Sequence, residues 1–176
     1  MAPLSRELAL TDEELDELMA STWNMRIATL GPGTRINLTP LWFGWAGGRI
    51  YFFGRGQKVV NLRRSPDCTV LVDRNDRFPE LQGAMFQGQA TVLEDAAAEG
   101  ADAHLEQARW QMGTKYAGGH GEAPPEDPSE LIRNESSARG SSWRWVVVVP
   151  DRIVSWDNAK IAAMRERPKE KSSAGW

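Results

Sequence analysis

TRINLTPLWFGWAGGRIYFFGRGQKVVNL, residues 34–62, reads as a β-hairpin that runs into the start of a helix. Ile36 to Trp45 is rich in β-branched and aromatic residues, Gly47-Gly48 forms a two-residue turn, and Ile50 to Phe53 is the returning strand. Gly54-Arg55-Gly56 then turns the backbone tightly, and Lys58 to Leu62 makes one or two turns of helix with Val59 and Leu62 facing inward. Free N–H groups at a helix start, two glycines that permit close approach, and the flanking Arg55 and Lys58 suit a phosphate. A plain strand-turn-helix corner with two solvated cations has the same residues, so the turn alone leaves both readings open.

Outward from this stretch, the chain has the balance of a soluble globular domain, with 41% hydrophobic and 26% charged residues among 176. That length predicts one domain with a core that needs no disulfide or metal. The domain is expected to span residues 1–165, with a polar, disordered tail over 166–176. A net charge of −3 argues against a general nucleic-acid binder. Cys68, the single cysteine, sits in an apolar run and reads as a small core residue. The first residues lack a basic segment followed by an apolar run, and no stretch approaches the ~20 apolar residues of a membrane span. A cytoplasmic protein with no membrane partner is the expectation.

Thr11-Asp12-Glu13-Glu14 matches a capping box, with Leu10 and Leu15 placed as a hydrophobic staple, so a helix begins there and buries Leu15, Leu18 and Met19. Met25 to Leu30 is the first strand, and Thr69 to Asp73 is a buried strand after the breaker Ser65-Pro66-Asp67. Arg74 to Gln82 is expected to be a loop. Met85 to Leu93 alternates as a strand, in which Gly88 marks a bulge or a close approach. Asp95 to Met112 reads as one helix, with Ala101, Leu105, Ala108 and Met112 on its inner face. Gly113 to Ser142 is expected to be a long surface loop holding a short helix near Glu130 to Asn134. Trp143 to Val149 and Arg152 to Trp156 are expected as a final pair of strands. The result is a mainly β, α+β chain: a six- to seven-stranded antiparallel barrel with flanking helices.

Gly54-x-Gly56 after a strand, with Asp73 further on, brings a dinucleotide fold to mind, but Val59 stands where a third glycine belongs and the helix is too short. His104 and His120 have no metal-ligand spacing, and no nucleophile motif is present.

The order of these segments resembles the flavin-binding split β-barrels of the pyridoxamine 5'-phosphate oxidase type, most closely their branch that uses the deazaflavin F420. The resemblance rests on the hairpin, on Gly54 to Pro66, on the strand ending in Val72-Asp73, on Gln87 to Val92, on Lys115-Tyr116, and on Asp151 to Asp157. It implies a homodimer with the cofactor at the interface. Arg55 and Lys58 would hold its phosphate, with Phe53, Gly54, Gly56, Gln57 and Asn61 shaping that corner. Asn37, Leu38, Thr39 and Pro40 would line the ring, with Trp42 as a candidate wall. The implied activity is an F420H2-dependent reduction of a small conjugated substrate. An FMN-dependent oxidoreductase and a non-catalytic cofactor- or haem-binding module are the alternatives. Phe52-Phe53-Gly54 departs from the oxidases, which carry a hydroxyl residue there. Arg55, Lys58, Arg63 and Arg64 are expected to begin a basic track for a polyanionic tail.

Overall fold

The computed structural model describes residues 6–117, 126–130, 132–133 and 142–166. The expected tail from 167 onward and the glycine-rich segment 118–121 lie outside these residues. Seven antiparallel strands form one sheet, with flanking helices. The strands are β1 (Met25–Leu30), β2 (Ile36–Leu41), β3 (Gly44–Ala46), β4 (Arg49–Gly54), β5 (Asp67–Arg74), β6 (Gln82–Leu93) and β7 (Arg144–Asp157). The helices are α1 (Asp12–Ser21), α2 (Gln57–Arg64), α3 (Ala96–Ala101), α4 (Leu105–Ala117) and α5 (Ala159–Glu166).

The order across the sheet is β2-β1-β5-β6-β7-β4-β3. Three strands separate β1 from β4, yet Ile27 of β1 and Ile50 and Phe52 of β4 belong to one buried cluster with Val70, Phe86, Val146 and Val148. The sheet is therefore curled into a half-barrel around that cluster, and Leu18 and Met19 of α1 complete it. The capping box forms as expected, with the Thr11 hydroxyl accepting from Glu14 N and the Glu14 carboxylate accepting from Thr11 N. On the opposite face, Tyr51, Trp145 and Val147 pack under Leu105, Ala108, Met112 and Tyr116 of α4. Alternation along β4 and β7 thus feeds two cores.

Several elements differ from the sequence reading, each for a tertiary reason. The strand expected over Ile36 to Trp45 breaks at Trp42-Phe43, because β2 pairs with β1 and β3 pairs with β4 at opposite ends of the sheet. The hairpin itself is β3–β4, closed by Gly47-Gly48 with φ of 57° and 70°, as a two-residue turn requires. Arg74 and Gln82, read as loop, are paired with each other at the ends of β5 and β6. The Asp95 to Met112 helix is two helices. Asp102 interrupts it by accepting from the Tyr51 hydroxyl at 2.9 Å and from His104 N at 3.0 Å. Gly113 does not start a loop but lies inside α4, where an added Cβ would come within 1.8 Å of the Pro128 carbonyl oxygen. The helix expected near Glu130 to Asn134 falls at residues 128–130 and 132–133 within the described part.

The expected final pair of strands is one strand, β7. Its register against β6 slips between Gln87, opposite Arg152, and Gly88, opposite Pro150, so Asp151 is the bulged residue. Gly88 is needed there because an added Cβ would lie 2.1 Å from the Val149 carbonyl oxygen. The blocking atom is backbone and cannot rotate away. Gly88→Ala is expected to destabilise the fold by on the order of 3 kcal/mol, by forcing the bulge apart. Urea unfolding of the purified variant reads this directly, and an unchanged midpoint would contradict the close approach.

Candidate functional site

The corner after β4 is built as the sequence implied. Gly56 caps α2 at φ 77°, a conformation that disfavours any side chain, and no side chain caps the helix. The Gln57 and Lys58 N–H groups open α2 ahead of its first internal bonds, while Val59 N and Val60 N donate to the Gly56 carbonyl at 3.0 and 3.2 Å. Val59 and Leu62 are buried and root the helix in the core. Arg55 lies over the Trp143 indole, 5.2 Å from its centroid, and Trp143 stacks on Phe53 at 5.3 Å. Lys58 Nζ donates to the Arg55 carbonyl at 2.8 Å. Partial burial, and then the Arg55 charge, lower the Lys58 pKa. Among the described residues neither Arg55 nor Lys58 pairs with a carboxylate, so both charges remain available to an anion.

β2 is an edge strand whose Asn37 and Thr39 are partly buried while Leu38 and Pro40 are exposed. Pro40 is tolerated because an edge strand leaves one row of backbone groups unpaired. Thr39 Oγ1 donates to Asn37 Oδ1 at 3.1 Å. A polar chain joins this strand to the corner: Gln57 Nε2 donates to Asn61 Oδ1 at 2.8 Å, and Asn61 Nδ2 donates to Thr29 Oγ1 at 3.1 Å. Thr29 Oγ1 in turn donates to the Asn37 carbonyl at 3.5 Å. Asn61 is fully buried, so it ties α2 to β1 from beneath the surface.

Trp42 is 42% exposed and stacks on Tyr116, whereas Trp145 is wholly buried. The basic track is shorter than the sequence implied. Arg63 makes two hydrogen bonds of 2.6 Å to Glu94, and Arg64 donates to the Leu30 carbonyl. Glu94 also accepts from Arg144 at 3.3 Å. A groove of about 280 Å³ opens beside the corner, lined by Gly56, Val59, Val60, Arg63, Ser142 and Arg144. Sequence reasoning missed Glu94, Trp143 and Arg144 because they come from distant segments. The available signal was a Trp-Arg pair starting the strand that ends up opposite Phe53-Gly54.

His104 packs on the hairpin turn, where a Cβ on Gly47 would fall 2.6 Å from its ring. Cys68 is buried and its thiol pKa is pushed up to about 12 by burial, the behaviour of a core residue. No described helix is long and apolar enough to cross a membrane.

A curled antiparallel half-barrel with a cationic turn-to-helix corner at the end of its hairpin is the architecture of a split β-barrel protein. The sequence matches the family described as pyridoxamine 5'-phosphate oxidase over residues 11–137, and the chain belongs to that family. Among solved structures it is similar to the conserved hypothetical protein Rv2991 from Mycobacterium tuberculosis, at 24% identity and a TM-score of 0.73, covering 92% of this chain and 93% of the other. HutZ, the heme storage protein from Vibrio cholerae, is 14% identical with a TM-score of 0.60, covering 82% and 94%. A protein described as F420 reductase is 17% identical with a TM-score of 0.52, covering 79% and 94%. No curated protein matches the sequence. At these identities the neighbours establish the fold.

Asn61→Ala would leave Thr29 and Gln57 without their buried partner. A loss of about 1–3 kcal/mol in unfolding free energy is expected, measured by denaturant titration. Full stability in this variant would mean that the polar chain does not hold α2 against β1.

Proposed function

We propose that this protein is an F420H2-dependent reductase. The phosphate of the cofactor is held by Arg55, Lys58 and the N-terminus of α2, with Phe53, Gly54, Gly56 and Gln57 forming the surrounding corner. Asn37, Leu38, Thr39 and Pro40 line the ring, with Trp42 beside them. Asn61 acts on the site through Gln57 and Thr29 rather than by contact. When bound, the reduced deazaflavin supplies the hydride for a small conjugated acceptor. The chain's own work is to bind, orient and shield, which accounts for a site without a triad.

The observation that carries the reading is the groove continuing from Gly56 past Arg63 and Arg144. A cofactor that extends beyond its phosphate into a carboxylate tail would use such a groove, whose lining includes the guanidinium groups of Arg63 and Arg144. Glu94 favours a second reading, an FMN-dependent oxidoreductase, because it already engages both arginines and FMN ends at its phosphate. Fluorescence titration with both cofactors at low and high salt tests the two. F420 is expected to bind tighter than FMN and to lose more affinity as salt screens the tail contacts. Lys58→Ala should weaken binding of either cofactor at least tenfold with the fold intact, in line with about 1.5–3 kcal/mol for a charge-assisted contact. Tight FMN and weak F420 binding at every salt concentration would leave the fold assignment and discard the deazaflavin.

The proposal includes a homodimer. Leu30, Ile36, Leu38 and Val149 are large apolar side chains exposed on the sheet, Ile36 to 74%. A groove of about 340 Å³ lined by Ala28, Leu30, Ile36, Thr69 and Gln87 crosses the outer faces of β1, β5 and β6. An apolar sheet face of this kind is suited to a second copy, which would complete the ring pocket. Light scattering is expected to give about twice the 19.6 kDa chain mass, and Ile36→Glu to return it to one chain mass. A monomeric wild type that binds cofactor fully would defeat the shared site.

A further inference from the structure

The Trp42-Phe43 crossing, where the chain leaves β2 at one end of the sheet and enters β3 at the other, has no strand ladder to hold it. Phe43 is nonetheless fully buried, so its backbone groups need partners. Both come from the C-terminal part of α4. Phe43 N donates to the Tyr116 hydroxyl oxygen at 2.9 Å, and the Phe43 carbonyl accepts from Lys115 Nζ at 3.3 Å. The Lys115 ammonium also donates to the carbonyls of Met19 at 2.7 Å and Thr22 at 3.1 Å, which lie at the end of α1. Its three protons therefore meet three carbonyl oxygens. It sits 3.7 Å from the centroid of the Phe43 ring, a cation–π contact on the same residue. Tyr116 stacks on Trp42 at 4.3 Å with an interplanar angle of 7° and meets Trp23 edge-on at 5.6 Å. Its hydroxyl proton goes to the carbonyl of Trp23 at 2.9 Å or of Phe43 at 3.1 Å.

We infer that Lys115 and Tyr116 are positioning residues for the site: together they hold the Trp42-Phe43 crossing, and through it the orientation of Trp42 and the end of β2. This rests on the reading of β2 and Trp42 as the ring-lining segment. The pair reaches the crossing from about 72 residues further along the chain, and each member does a separate task. Lys115 pins the crossing to α1, and Tyr116 sets the plane of the exposed indole.

A side chain that only fills space would not make this arrangement sensitive to protonation, but a three-way ammonium does. Burial pulls the Lys115 pKa down to about 7. α1 presents the Met19 and Thr22 carbonyls to it, the crossing presents the Phe43 carbonyl and ring, and α4 presents Tyr116, whose hydroxyl titrates above its ordinary range. Among the described residues no carboxylate lies within ion-pair distance of it. Burial that lowers this pKa disfavours the charged amine in the closed crossing, whereas an opened crossing returns Lys115 to water and to its ordinary, higher value. Opening therefore takes up a proton, so the grip on the crossing loosens on the acid side of neutrality and tightens as pH rises.

The test follows near-UV circular dichroism of the free protein, and its dissociation constants for F420 and FMN, from about pH 6 to about pH 9. The wild type is expected to gain stacked-aromatic signal and several-fold in cofactor affinity as pH rises through neutrality. Lys115→Arg, which stays charged throughout, is expected to show neither change. Tyr116→Phe should weaken cofactor binding about tenfold at every pH with its far-UV spectrum unchanged, since about 1.4 kcal/mol is a factor of ten. A flat wild-type profile, the same profile in Lys115→Arg, or wild-type spectrum and affinity in Tyr116→Phe would each overturn the inference. Should Lys115→Arg fail to fold, the wild-type titration and Tyr116→Phe still decide it. If the wild type binds neither cofactor, the proposed function fails while the spectra of the free protein still judge the positioning role.

Discussion

A curled sheet can bury its inner face only if its two ends are brought round a common plug of side chains. In this molecule that closure depends on the long β6–β7 pair, which is the centre of the sheet and must bend. The bend is made where Gly88 lets the Val149 carbonyl approach to a distance that a Cβ would occupy, and where Asp151 is left over as a bulge. Bulges increase local twist and re-aim the strands beyond them. Ile27 and Phe52, far apart across the sheet, can then share one core, and the hydrophobic gain of that cluster holds the bend in place.

Closure also sets where chemistry can occur. The sheet ends in two edge strands, β2 and β3, and the chain must cross between them at Trp42-Phe43. Edge strands leave backbone groups unpaired, and the turn after β4 places the Gln57 and Lys58 N–H groups at the start of α2, ahead of the first intrahelical bonds. Available polar groups therefore concentrate around β2 and the Gly54–Lys58 corner, where the proposed function places the cofactor. The polar chain from exposed Gln57 through buried Asn61 to buried Thr29 links these two places. Lys115 and Tyr116 close the frame from the other side by satisfying the crossing that the sheet cannot.

Membership of the pyridoxamine 5'-phosphate oxidase family fixes the architecture but leaves the ligand to local residues, because one fold hosts several functions. Solved structures with this fold include a heme storage protein and an F420 reductase. In this chain the decisive local feature is the Arg63–Glu94–Arg144 group at the mouth of the groove. Under the proposed function this group would meet a charged tail, and a cofactor that ends at its phosphate would not reach it.

The sequence by itself determined the elements whose cause is local. The capping box at Thr11, the Gly47-Gly48 turn, the Gly56 corner and the inward Val59 and Leu62 all follow from backbone permission and helical spacing within a few residues. What tertiary structure alone decided are the features set by partners remote in the chain. Ile36 to Trp45 reads as one strand because its residues all favour extended backbone, and only the pairing of its halves with β1 and β4 splits it. Arg63 reads as part of a basic track until Glu94 arrives across the surface, and Asn61 reads as part of the cofactor corner until β1 covers it. By sequence Lys115 falls in the segment read as a surface loop, and it lies in α4. Its role appears only when folding places three carbonyls from two other segments around one ammonium, because desolvation and hydrogen-bond satisfaction depend on what surrounds a group in space.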